Sequence, residues 1–159
     1  NLKKPNYVRL DRQILPQIYN ENDRFDRGLS VLKKGRDFYI ISTGCMTSVA
    51  LEIIKEFAYE TDKIGLIDLY TLPINEKELI KSIDSVKKII TIEEHFLPGG
   101  LGSAVCETLI DNNINIPVKR IGLVHDIGYS YIYGGREIIR QHYGIDKKSI
   151  IQKIKEFLK

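Results

Sequence analysis

The chain has 159 residues, and its 24 lysines and arginines stand against 21 acids for a net charge of +3, with the two signs interspersed throughout. That length suits one compact domain, and the mixed charge reads as a solvated surface, which excludes the clustered basic footprint of a nucleic-acid binder. No apolar run approaches the roughly 18 residues that span a bilayer, and Asn1-Leu2-Lys3-Lys4-Pro5 lacks the apolar stretch of a secretion signal.

The first 28 residues differ from the rest. Tyr7-Val8-Arg9-Leu10 is predicted as a short strand, and residues 11–27 as an extended polar arm interrupted by Pro16. A connection this long is unusual within one domain. With no initiating Met, it reads as a linker from something upstream. Regular structure starts near Ser30, with an edge strand over residues 30–33 and a turn at Lys34-Gly35. Phe38-Tyr39-Ile40-Ile41 is a short continuous apolar run, as expected of a central strand covered on both faces. Thr43-Gly44 ends it. Val49, Ala50, Ile53, Ile54, Phe57 and Ala58 then recur at helical spacing.

Residues 64–69 form a second central strand. Asn75, with Glu78 three residues later, marks a helix start that buries Leu79, Ile80 and Ile83. Residues 86–92 form a third strand, followed by Glu93-Glu94-His95 and the run Pro98-Gly99-Gly100-Leu101-Gly102-Ser103. A helix is predicted from about Ser103, with Ala104, Val105, Thr108 and Leu109 facing inward, and Asn112-Asn113 stopping it. Residues 118–123 form a fourth strand. A tyrosine-rich loop covers 125–135. Two helices close the chain, one over 136–143 ending at Gly144 and one capped by Asp146 that buries Ile150, Ile151, Ile154, Phe157 and Leu158. Alternating strands and helices predict an α/β class with a largely parallel sheet.

Chemistry concentrates in few places. The glycine turn at 99–103 follows a strand and opens a helix, where free amides can receive an anion. Val105 stands where the dinucleotide fingerprint needs its third glycine, and the P-loop lysine is missing. The glycines therefore read first as a tight turn with close helix–sheet contact. Glu93-Glu94-His95 lies at the carboxyl end of a parallel strand, where sites in open sheets gather. Successive strand residues face opposite ways, so Glu93 and Glu94 do not converge as an acid–base pair. Instead, one of these three residues is expected to tether the glycine turn or to pack at an interface.

Cys45 starts a helix without a nearby His to act as base and reads as a buried or capping thiol. Cys45 and Cys106 are lone and far apart, which places the protein in a reducing cytoplasm, and no metal site is expected. Tyr129, Tyr131 and Tyr133, with Ile127 and Ile132, suit a protein–protein contact or intramolecular cover. His125-Asp126 reads as a solvated turn, or as an orienting pair. Arg12, just after the strand-like segment, has the chemistry to grip a phosphate.

The run Ile90-Thr91-Ile92-Glu93-Glu94-His95-Phe96-Leu97-Pro98-Gly99-Gly100-Leu101-Gly102-Ser103-Ala104-Val105 resembles the signature of transketolase carboxy-terminal domains, closest to split transketolases and deoxyxylulose-phosphate synthases. Ile41-Ser42-Thr43-Gly44, Ile67-Asp68-Leu69-Tyr70-Thr71-Leu72-Pro73-Ile74-Asn75 and Tyr143-Gly144-Ile145-Asp146 resemble further stretches of that family, in the same order. The resemblance implies a three-layer α/β/α fold with five mostly parallel strands and an antiparallel first strand. It implies that residues 1–28 end the preceding pyrimidine-binding domain and that residues 29–159 form the carboxy-terminal domain.

The resemblance also implies a homodimeric enzyme that transfers a two-carbon ketol unit between sugar phosphates. Thiamine diphosphate and Mg would be held by the two preceding domains. This chain would then carry no catalytic residue and be inactive alone, serving assembly and access to the site. Glu93, Glu94, His95, Gly99, Gly100, Gly102 and Ser103 would be structural or interface residues. Arg12-Gln13 resembles the substrate-phosphate-contacting run, with Asp11 replacing the usual serine as a carboxylate that competes for the arginine. The competing readings are a docking domain of a 2-oxo-acid dehydrogenase beta subunit, a deoxyxylulose-phosphate synthase domain, and a small-molecule binder using the glycine turn.

Overall fold

The computed structural model describes residues 5–57, 62–124 and 130–159. Its elements, in chain order, are β1 (Leu29–Lys33), β2 (Phe38–Ser42), α1 (Cys45–Lys55), β3 (Ile64–Leu69), α2 (Glu76–Ser82), β4 (Lys88–Phe96), α3 (Leu101–Asp111), β5 (Val118–Leu123), α4 (Arg136–Tyr143) and α5 (Lys147–Leu158). The five strands form one sheet in the order β1-β3-β2-β4-β5. Only β1 runs antiparallel, against β3, with Leu29 opposite Leu69. The mixed α/β sheet between helices agrees with the sequence expectation.

Strand alternation divides the core into two layers. Phe38, Ile40, Ile64, Leu66, Ile90 and Ile92 face α1 and α5, meeting Met46, Ala50, Ile53, Ile150 and Ile154. Tyr39, Ile41, Ile67, Leu69 and Ile89 face the other way, meeting Leu79 of α2 and Leu101, Val105 and Leu109 of α3. β2 and β3 are buried along their whole length, which explains their unbroken apolar sequences.

The helix ends obey local chemistry. The Asn75 side chain accepts from the Glu78 amide at the start of α2. Asp146 accepts from the Lys148 and Ser149 amides to open α5. Gly144 adopts a left-handed conformation after α4.

Three expectations need correction. Residues 7–10 form no strand and are exposed, because both sheet edges lie elsewhere and the segment has no ladder partner. β4 begins two residues later than predicted and runs four further, taking in Glu93, Glu94 and His95. α3 starts at Leu101, two residues before Ser103. The expectations for Ala58, His125, Asp126, Ile127 and Tyr129 lie outside the described residues. Among the described residues no helix is long and apolar enough to cross a membrane.

Candidate functional site

The glycine turn is built around Glu93. As the residue after the Ile89–Thr91 stripe, Glu93 projects toward α3 and is 1% exposed. Its carboxylate accepts from the Leu101 amide at 2.7 Å and from the Gly102 amide at 2.8 Å. These are the first free donors of α3, so the slot where an external anion would sit is occupied by the chain's own carboxylate. Burial pushes the Glu93 carboxyl above its usual range, partly offset by the two amides.

A Cβ on Gly100 would collide with this carboxylate, which explains the glycine there. Gly99 has φ 72° at the turn itself. Ser103 closes the turn. Its hydroxyl donates to the Leu97 carbonyl at 2.7 Å and accepts from the Gly99 amide at 3.1 Å and from Arg120 at 2.9 Å. Gly102 lies against Thr91 and Arg120, too close for a side chain.

Glu94 points to the opposite face, as alternation requires, and meets a different set of partners. Arg140 of α4 donates Nε to Glu94 Oε1 at 2.9 Å and Nη1 to Glu137 at 2.7 Å. Arg136, one helical turn earlier, places Nε 3.4 Å from the same Glu94 oxygen. The Cys45 thiol donates to Glu94 Oε2 at 3.1 Å and accepts from Arg140 at 3.3 Å. Burial, followed by the neighbouring Glu94 carboxylate, pushes the Cys45 thiol up to about 11. The thiol thus stays protonated at neutral pH, and the α1 dipole does not make it reactive. Burial pulls the Arg140 guanidinium down, but Glu94 outweighs it and holds Arg140 above its usual value. A cleft of about 330 Å³ lies beside this cluster, lined by Glu94, Arg136, Arg140, Leu123, Ile139 and Tyr143 among others.

The arm reaches the same cluster from outside. Arg136 donates to both Asp11 oxygens, at 3.3 and 2.9 Å, and to Gln13 Oε1 at 2.9 Å. The hydrogen bond to Arg136 is the largest influence holding the Asp11 carboxyl below its usual value. Arg12 lies between these two gripped residues and is exposed. Asp11 therefore turns its charge to Arg136, and the competition with Arg12 expected from sequence does not arise in this geometry.

Further along, Tyr19 donates to Asp68 at 2.6 Å, and Thr47 donates to the other Asp68 oxygen at 2.8 Å. Tyr19, Phe25 and Tyr70 stack edge to face, with centroids 4.7 to 6.5 Å apart. Burial raises the Asp68 carboxyl despite these two donors. His95 is exposed at the end of β4, its Nδ1 3.1 Å from the Phe96 carbonyl. Tyr131 and Tyr133 are almost fully exposed and give no intramolecular cover.

Sequence reasoning does not single out Arg136, Arg140, Asp68 or Tyr19. The two arginines carry one signal, a spacing of four on a helix with Glu137 between them. Asp68 and Tyr19 carry none, since their partners are distant in the chain. No group of three or more His, Cys, Asp or Glu among the described residues is placed to hold a metal ion.

Residues 28–150 match the family model described as transketolase, C-terminal domain. One of the two subunits of the apulose-4-phosphate transketolase of Actinobacillus succinogenes is 31% identical over 153 residues, covering 95% of this chain and 49% of that protein. A putative transketolase C-terminal section of Methanocaldococcus jannaschii is 35% identical over 164 residues, covering 99% of this chain and 49% of the relative. A solved split gene transketolase, described as an inactive beta4 tetramer, superposes with a TM-score of 0.73 at 30% identity, over 89% of this chain and 45% of that one. The chain thus spans about half the length of the relatives it matches.

Proposed function

The chain belongs to the transketolase C-terminal domain family, and from that premise we propose that it is the carboxy-terminal part of a thiamine-diphosphate-dependent transketolase. The enzyme would move a two-carbon ketol unit from a ketose phosphate to an aldose phosphate. The observation that carries the reading is the family match over 28–150, which spans the sheet, the Glu93-held glycine turn and α4. Residues 1–28 belong to the end of a preceding pyrimidine-binding domain, and residues 29–159 form the carboxy-terminal domain. When bound, thiamine diphosphate supplies the electron sink for this chemistry.

The described residues do not fit that cofactor. The one helix terminus that opens from a glycine turn already holds the Glu93 carboxylate. The cofactor and its Mg are therefore assigned to preceding domains or a companion subunit. Arg12 is assigned to the substrate phosphate, and the chain otherwise supports assembly as a homodimer and shapes access to the site. Its setting is cytoplasmic.

Calorimetric titration with thiamine diphosphate and Mg tests the assignment. The chain alone is expected to give no binding heat, and the complete enzyme is expected to give a metal-dependent signal. Tight metal-dependent binding by the chain alone would sink the reading. Capture of a lipoyl-bearing partner would favour the dehydrogenase-subunit reading instead.

A further inference from the structure

The arm over residues 5–28 has no helix and no strand, yet its turn at 11–13 is held at several points. Arg136 reaches it with both terminal nitrogens, to Asp11 and to Gln13. The Gln13 amide donates to Asp11 Oδ1 at 2.9 Å, closing the turn on itself. On its other side Arg136 faces Glu94 of β4, whose carboxylate is fixed by Arg140, itself 6% exposed. A continuous chain of charged contacts thus runs from the buried end of β4, through α4, to the two residues that flank Arg12.

We infer that Arg136 is a positioning residue that fixes the Asp11–Gln13 turn to the sheet and thereby presents the Arg12 guanidinium to a phosphate-bearing substrate. This rests on the assignment of Arg12 made above. The logic is entropic and electrostatic. An arginine on an unsupported arm must be ordered when it binds, and that ordering subtracts from affinity. Gripping both neighbours removes that cost beforehand. Because Asp11 is neutralised by Arg136, it does not draw the Arg12 charge away from an incoming anion. Loss of Arg136 releases the Asp11 carboxylate beside Arg12 and frees the turn. Both consequences weaken phosphate recognition without touching the reacting carbons.

Steady-state kinetics on the complete enzyme tests this, with ribose 5-phosphate and unphosphorylated ribose as alternative acceptors. Arg12→Ala is expected to raise KM for the phosphorylated acceptor by about ten- to a hundredfold, the range of a lost charge-assisted contact. Arg136→Gln and Asp11→Ala are each expected to raise it by about five- to tenfold, with kcat and the ribose KM within about twofold of the parent. The double variant should match the larger single effect, because both changes break one interaction. If Arg12→Ala selectively impairs the phosphorylated acceptor while Arg136→Gln and Asp11→Ala do not, the positioning role is overturned and the Arg12 assignment stands. If Arg12→Ala leaves the phosphorylated acceptor unaffected, both fall. Asp11 lies on the arm outside the core, so its variant decides the matter even if Arg136→Gln lowers stability.

Discussion

The Glu93 carboxylate sits where a helix leaves its first amides without partners and a strand delivers a side chain into the core. Its ionised form is buried, which is costly, but two amides and the positive end of α3 receive it. Glu93→Ala would leave the Leu101 and Gly102 amides buried without an acceptor. The expected loss is about 3 kcal/mol in urea unfolding, from roughly 1–3 kcal/mol for each buried group left unsatisfied. A loss below about 1 kcal/mol would mean that water replaces the carboxylate.

The pH dependence of Glu93 follows from the direction of its shift. An acid raised by folding holds its proton more tightly folded than unfolded. Its contribution is full below the ordinary carboxyl value of 4.5 and declines as pH rises through the higher folded value. Unfolding measured from pH 4 to 8 should therefore show a downward slope in the parent that is shallower in Glu93→Gln. Equal slopes would assign that titration to Asp68, whose carboxyl burial also raises.

The arm shows how irregular backbone becomes ordered without a ladder. Its anchors are side chains: Tyr19 on Asp68, the Tyr19–Phe25–Tyr70 stack, Leu15 against the α1–α5 layer, and Asp11 on Arg136. Tyr19→Phe keeps the stack and removes one donor from a buried carboxylate. The expected cost is about 1 kcal/mol or slightly more, and trypsin should cut after Arg24 several-fold faster than in the parent. Unchanged cleavage would show that the aromatic stack alone holds the segment.

None of these anchors is legible in the sequence, because each joins residues 45 or more apart whose pairing exists only in three dimensions. The sheet is legible, because unbroken apolar runs such as Phe38-Tyr39-Ile40-Ile41 have few other uses. The end of β4 is not. Glu93-Glu94-His95 reads as polar sequence leaving a strand, and only the α3 amides and the α4 arginines explain how two acids extend a strand that begins in the core. Residues 7–10 fail in the opposite sense, since β-branched and aromatic composition does not make a strand where no edge is available to pair.

Considered as one body, the protein has a well-filled two-layer core, yet large apolar side chains lie on the outside in three segments. On the arm they are Tyr7, Val8, Leu10 and Ile14; after β5, Val124, Tyr131 and Tyr133; and on α4, Ile138 and Ile139. Asp11 and Arg136 tie the arm to α4, and Gly134 abuts Ile138, so the three segments adjoin near the carboxyl end of the sheet. Exposed apolar surface of this kind is covered in an assembled protein, and tyrosines favour such contacts. The homodimer proposed for the parent enzyme then predicts self-association of the chain. Sedimentation at tens of micromolar is expected to give a species at twice the chain mass. Tyr133→Ser combined with Ile138→Glu should shift it to the monomer while leaving Tm within a few degrees, because neither side chain contributes to either core layer. A parent that sediments as a monomer at that concentration would mean that the upstream domains, and not a second copy, cover this surface.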